Sequence, residues 1–236
     1  MRSLSEQNLD DLGGRWSVLA RQKLDHMELD RLLGEVERTD GAEQKLALIK
    51  TYRLVFPHAF AEESVLWPVM RAELPDGHEL TLRVEQEHQE VNELVTLLEN
   101  LGDAHPERDE VLRRLITVLR DDVRDEEDEL LPRLQEKLSP ARLRALGVAW
   151  EAVRRTAPTR PHPVVARRPP GNVAASLPLT VTDRLRDVLE SAALRGPDAV
   201  GPALTAASGV LARAAGAIEH LPIMRRGEDP STSRGE

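Results

Sequence analysis

The strongest constraint on this chain is a pattern written twice. Residues 58–68 read HAFAEESVLWP and residues 122–132 read DVRDEEDELLP. Superposed, they pair His58 with Asp122, Glu62 with Glu126, Glu63 with Glu127, Leu66 with Leu130 and Pro68 with Pro132. An acidic surface would account for the glutamates but not for the shared register. Residues four apart lie on one face of an α-helix. Each copy therefore sets a potential metal ligand, His58 or Asp122, over a glutamate, Glu62 or Glu126.

The surroundings read as helix, since apolar residues recur at helical spacing and no alternating strand pattern competes. Helix A is expected over 15–38, with Trp16, Leu19, Leu24, Met27, Leu32 and Val36 inward. Helix B covers 42–72 and contains Pro57, which should kink it just before His58. Helix C covers 79–101 and helix D 107–137. Ser139-Pro140 supplies the N-cap and first position of a short helix E over 140–155. Four long amphipathic helices on short turns predict an all-α, up-down-up-down antiparallel four-helix bundle, with additional C-terminal helices. The chain divides into a polar N-terminal arm (1–14), the bundle with its fifth helix (15–155), an extended Pro/Arg-rich linker (156–178), a C-terminal helical segment (179–222) and a disordered tail (223–236).

The repeat reaches the other two helices. His26 in helix A aligns with His88 in helix C, so the bundle is two copies of one helical hairpin, A–B and C–D. His88 and Asp122 each lie about 17 residues from the turn near residue 105 and stand at equal height across their hairpin. The A–B hairpin matches less closely.

Six side chains thus share one layer: His26, His58, Glu62, His88, Asp122 and Glu126. The sequence has no cysteine, so any metal must be held by imidazole and carboxylate, a donor set suited to iron or manganese, with zinc also compatible. Glu62 and Glu126 come from opposite hairpins and are the natural bridges between two ions. Three carboxylates against two divalent ions leave one positive charge, which an oxo or hydroxo bridge would offset. Taken alone, an i,i+4 His–Glu pair is most often a solvated helix face; the register of the repeat sets this one apart. Asp30 and Asn92, each four residues after a helical histidine, are candidates for ligands or for partners that orient the imidazole. Glu63 and Glu127 are expected in the outer layer or in solvent. His78, His105 and His162 are expected in solvent, and Trp16, Trp67 and Trp150 in packing.

Residues 20–138 resemble a hemerythrin-type HHE cation-binding domain. The residues that carry the likeness are DH at 25–26, HAFAEESVLWP at 58–68, EH at 87–88 and EEDELLP at 126–132. The resemblance implies a four-helix bundle holding a non-haem di-iron centre, with a bridging oxygen and access for a diatomic ligand. It carries His26, His58, Glu62, His88 and Glu126 over as ligands. This sequence departs from the oxygen-carrying pattern twice: Asn92 stands where those proteins place a second histidine on helix C, and Asp122 where helix D usually begins its motif with His. The site is more carboxylate-rich, closer in character to ferritin-like centres and to the hemerythrin-like domains of iron-responsive proteins. Harder oxygen ligands favour ferric ions and work against reversible O₂ carriage.

The leading expectation is a protein that binds or senses iron, O₂, NO or peroxide, with no catalytic residue assigned. A di-iron oxidase or peroxidase and a metal-free helical scaffold are the competing classes. Residues 1–159 carry 22 basic against 33 acidic side chains, which disfavours nucleic acid as a partner. No apolar run is long enough for a membrane, and the start of the chain has no apolar signal core. A cytoplasmic location is therefore expected, and the scarcity of lysine among the basic residues suits a GC-rich bacterial genome. All six candidate ligands precede the linker, so the C-terminal segment is expected to be separable from the metal chemistry.

Overall fold

The structure, a computed structural model, describes residues 1–102, 105–197 and 199–232. Among these residues every regular element is helical: α1 (Val18–Arg38), α2 (Gly41–Ala61), α3 (Trp67–Glu73), α4 (Gly77–Asn100), α5 (Arg108–Asp125), α6 (Leu131–Lys137), α7 (Pro140–Arg155), α8 (Gly171–Arg195) and α9 (Gly201–Glu219). No helix among them is long and apolar enough to cross a membrane. Ser17 caps α1 by accepting from the Leu19 N–H, and Ser139 caps α7 by accepting from Arg142, with Pro140 just inside the helix. Helix α1 packs on α2 and α4 on α5, and α7 lies against both α1 and α2.

The expected helices B and D are each interrupted, and at matching positions. Helix α2 passes through Pro57 without a break in its helical assignment. The change comes later, in a π-helical turn at Glu62–Leu66 between α2 and α3, and again at Glu126–Leu130 between α5 and α6. The cause lies in the repeated proline. Pro68 and Pro132 have no N–H to donate, and their rings crowd the carbonyl four residues back. The residue just before each proline bonds five residues back instead: Trp67 N–H to the Glu62 carbonyl, Leu131 N–H to the Glu126 carbonyl. Such turns are rare and concentrate at functional sites.

Two apolar clusters bracket the repeat. One holds Leu19, Leu66, Trp67, Met70, Val84, Leu130, Leu134 and Trp150. The other holds Leu33, Leu48, Phe56, Val91, Val95, Leu115 and Leu119. Following the chain, α1 runs from the first cluster to the second, α2–α3 back to the first, α4 out again and α5–α6 back. The six candidate ligands fall in sequence where each helix passes from one cluster to the other. Apolar packing on both sides fixes the height of a polar layer that would be costly to bury alone.

Several expectations are corrected. Trp16, Leu24 and Met27 are exposed; Leu19, Leu32 and Val36 do face inward, joined by His26, Leu29 and Leu33. Trp16 precedes the helix and lies under Arg15 and Arg21. The N-terminal arm is part of the bundle: Leu4 and Leu12 are fully buried, and the Leu4 N–H donates to the Glu127 carbonyl. The stretch read as a linker over 156–178 is not a free spacer. Helix α8 begins at Gly171 and continues through Pro178. The residues before it bury Ala157, Thr159, Arg160, His162, Val165, Ala166 and Arg167. His162, expected in solvent, is tied to Asp183 of α8 and Glu219 of α9. The tail read as disordered over 223–236 starts inside a 3₁₀ turn at Pro222–Arg225 and packs back through Met224; residues 233–236 lie outside the described residues.

Helix α7 closes on the backbone ahead of α1 at a glycine. A Cβ on Gly147 would stand 2.1 Å from the Trp16 carbonyl oxygen. Gly147→Ala is therefore expected to destabilise the fold by about 1–3 kcal/mol despite the better helix former. Gly209→Ala in α9, where a Cβ meets only the far end of Arg213 at 3.8 Å, should instead stabilise by about 0.5–1 kcal/mol. Urea denaturation of the two variants checks the opposite signs.

Candidate metal centre

Each of the three imidazoles is held from behind by a carboxylate of a neighbouring helix or turn. His26 Nδ1 stands 2.9 Å from Glu127 Oε1, His58 Nδ1 is 3.1 Å from Asp25 Oδ2, and His88 Nδ1 is 2.9 Å from Glu63 Oε1. This fixes each ring and turns its Nε2 toward one shared space. There His26 Nε2 meets Glu126 Oε2 at 3.2 Å, and His58 Nε2 meets Glu62 Oε1 at 3.1 Å. His88 Nε2 lies 3.7 Å from Glu62 Oε2 and 3.9 Å from Asp122 Oδ1. Two sets of ligand-type atoms converge within 4.8 Å: His26, His58 and Glu126, and Glu62, His88 and Glu126. Glu126 belongs to both, and Glu62 faces His58 as well as His88.

The layer is buried, and close as its atoms lie to one another, several form no well-aligned hydrogen bond. His26 Nε2, both oxygens of Glu62, Asp122 Oδ1 and Glu126 Oε1 are buried without a hydrogen-bond partner. Buried polar atoms are almost always paired, so five orphans in one layer call for something cationic between them. In the metal-free protein that role falls to protons. Burial disfavours a charged imidazole, but Glu126 and Glu127 outweigh it and raise His26 to about 9. Asp122 and Glu63 likewise overcome burial and raise His88 to about 10. His58 is raised well above its ordinary value by Glu62 and Asp25, again against burial. Burial and the neighbouring Glu126 push up both Glu62 and Asp122. Glu126 alone is held low, because His26 outweighs its burial. Metal ions would satisfy the same atoms without protons, and imidazole with carboxylate is a fitting donor set for first-row divalent ions. The residues present fit a metal.

The other candidates separate clearly. Asp30 is on the surface near Arg120, at 3.8 Å, and takes no part. Asn92 is buried beside the layer, but its amide is engaged: Nδ2 donates to the His88 carbonyl, and Oδ1 accepts from the His162 N–H. The doubled glutamate of the repeat has a division of labour, the first facing inward and the second reaching the histidine of another helix. Asp25 was missed as a functional residue; the pairing of an acid with each of the other histidines was the available signal. Its repeat counterpart, Glu87, stands beside Asp122 and is pushed up by burial and Asp125. Trp150 of α7 contributes an indole packed edge-on against His58, ring centroids 5.4 Å apart. A cavity of about 30 Å³ reaches the layer past Leu29, Phe56, Val91 and Leu119. It has room for a very small molecule only.

Residues 17–134, half of the chain, match the family described as hemerythrin HHE cation binding domain. The chain is 27 % identical over 134 residues to an uncharacterized hemerythrin-like protein of Schizosaccharomyces pombe, covering 56 % of this chain and 66 % of that one. It is 26 % identical over 118 residues to a DNA nickase of Nostoc sp., covering 50 % of this chain and 33 % of that one. The matched stretch thus spans less than two thirds of either relative. No solved structure matches the chain significantly.

The raised imidazoles give the metal-free protein a definite pH dependence. A group that holds its proton more tightly when folded adds stability below its unfolded value and loses it as pH rises through the folded one. For His26 and His88 that window runs from 6.5 to about 9 and about 10. The raised carboxyls act with the same sign at the acid end. Metal displaces these protons, so its affinity should rise with pH across the same window. Calorimetry of metal-free protein should show Tm falling by about 5 °C or more between pH 6.5 and 9.5, and less with metal present. A flat metal-free profile would mean that the folded imidazoles are not protonated.

Proposed function

Because the chain belongs to the hemerythrin HHE cation-binding domain family, we propose that His26, His58, Glu62, His88, Asp122 and Glu126 hold two iron ions and that the protein senses or binds a diatomic gas or peroxide through them. A metal-binding helical protein follows from the family, and the buried His/Glu group could hold a metal. The observation that carries the finer reading is the set of buried donor atoms without partners, shared between two overlapping groups. One ion would leave part of this set unsatisfied. Glu126, common to both groups, and Glu62, facing two histidines, would be the carboxylates shared between the ions. The alternation of apolar clusters along the chain supports the up-down-up-down bundle as the scaffold. When bound, iron would supply redox chemistry.

The protein's own residues do the rest. Asp25, Glu63 and Glu127 keep each imidazole's proton on Nδ1 and leave Nε2 free to ligate. Leu29, Phe56, Val91 and Leu119 keep bulk water from the layer. The size of the cavity favours a small ligand over an organic substrate. We further propose a small molecule rather than nucleic acid as the partner. The acidic balance of residues 1–159 supports this, as do the arginines before α8: Arg160 is bound to Glu99, Asp187 and Glu190, and Arg168 to Glu85.

Elemental analysis after anaerobic loading with Fe(II) should return two iron ions per chain. Glu126→Ala, which touches both groups, should lower that to one or none. Asp30→Ala, on the surface, should leave it at two. A single ion per chain, indifferent to Glu126→Ala, would defeat the dinuclear reading.

A further inference from the structure

The three candidate ligand histidines are not supported alike. Around His26 and His58 the outer partners come from α1, the second π turn and α7: Glu127, Asp25 and Trp150, with Arg154 of α7 3.6 Å from Asp25. Around His88 the direct partner is Glu63 of the first π turn, and the segment between α7 and α8 backs it. Arg167, buried there, donates from Nη2 to Gln89 Oε1 at 2.5 Å and places Nη1 3.9 Å from Glu63 Oε1. That oxygen is the one that faces His88 Nδ1. The backbone N–H of His162, in the same segment, donates to Asn92 Oδ1 at 3.0 Å, while Asn92 Nδ2 grips the His88 carbonyl. Two contacts from one segment thus converge on one histidine, through its carboxylate partner and through its own backbone.

The segment is in turn locked to the C-terminal helices. The His162 ring bridges Asp183 of α8 and Glu219 of α9. Arg160 is bound to Asp187 and Glu190 of α8. The Arg167 N–H donates to Glu228, beyond α9. A merely packed appendage would need apolar contact, and Val165 with Met224 supplies that. It would not need a buried guanidinium aimed at the carboxylate behind a candidate ligand. Removing that cation leaves His88 as the remaining counter-charge to buried Glu63, which is costly and loosens the carboxylate.

Building on the di-iron reading, we infer that Arg167 is a positioning residue for His88, acting through Glu63, and that the C-terminal helices are thereby coupled to the metal layer. Coupling of this kind is reciprocal. Metal in the layer tightens residues 157–168 against α4, and whatever loosens α8 and α9 weakens the hold on metal. The expected separability of the C-terminal segment is replaced by a mechanical link between the two.

The test uses the full chain and Fe(II) under argon. Amide hydrogen exchange across 157–168 should slow when Fe(II) is added to the wild type. Arg167→Met should weaken Fe(II) binding about tenfold and reduce that slowing. Arg167→Lys, which restores the cation beside Glu63, should recover most of the affinity, a rescue that lost packing alone would not show. If the wild type takes up Fe(II) but exchange at 157–168 is unchanged, and Arg167→Met binds as the wild type does, the coupling is overturned while the di-iron reading stands. If the wild type takes up no Fe(II), both fall. Should Arg167→Met fail to fold, the wild-type exchange comparison decides alone.

Discussion

Everything in this molecule is arranged around three imidazoles clamped at Nδ1. A buried histidine with one nitrogen held by a carboxylate has its tautomer and ring plane settled before any ligand arrives. With three such rings pointing inward, and three more carboxylates facing them, the layer is electrostatically incomplete without added positive charge. Two apolar clusters, one on each side, keep water from supplying an easy escape. The fold therefore stores a demand for cations at a fixed height in the bundle, and protons or metal ions can meet it.

Much of this was legible because the chain repeats itself. The repeat put His58 over Glu62 and Asp122 over Glu126, and aligned His26 with His88; ligand-type atoms of His26, His58, Glu62, His88 and Glu126 fall into two overlapping groups, and Asp122 stands outside both, 3.9 Å from His88 Nε2. It left Glu63 and Glu127 to the outer layer or to solvent; the structure places them against His88 and His26. The π turns were not legible as such, although their cause was in view. Pro68 and Pro132 stand in the repeat as matched positions, and their lost donors act backward along the ladder by shifting the bond of the residue before. Asp25 escaped notice because its partner, His58, is far away in sequence, and adjacency to His26 says nothing about which imidazole it serves.

The C-terminal third was misread for a different reason. A stretch such as TRPHPVVARRPP has the composition of a spacer, and composition reports what a segment could do alone. It does not report that Arg160, Arg167 and Arg168 each have an acid or amide waiting on another helix. Nor does Pro178 end a helix when it lies within the first turns of α8 and the chain on either side is anchored. Long-range pairing of charges is the information that a single sequence withholds most completely.

Trp150 gives the buried layer a voice at the surface of measurement. Of the three indoles, Trp16 is exposed, while Trp67 and Trp150 are fully enclosed. Trp150 alone is stacked edge-on against a ring that faces the centre. An excited indole so near a transition metal or a charged imidazole loses its energy to that neighbour, so its emission is expected to dim with occupancy or protonation. The molecule thus carries its own fluorescent gauge, native to helix α7 and needing no label.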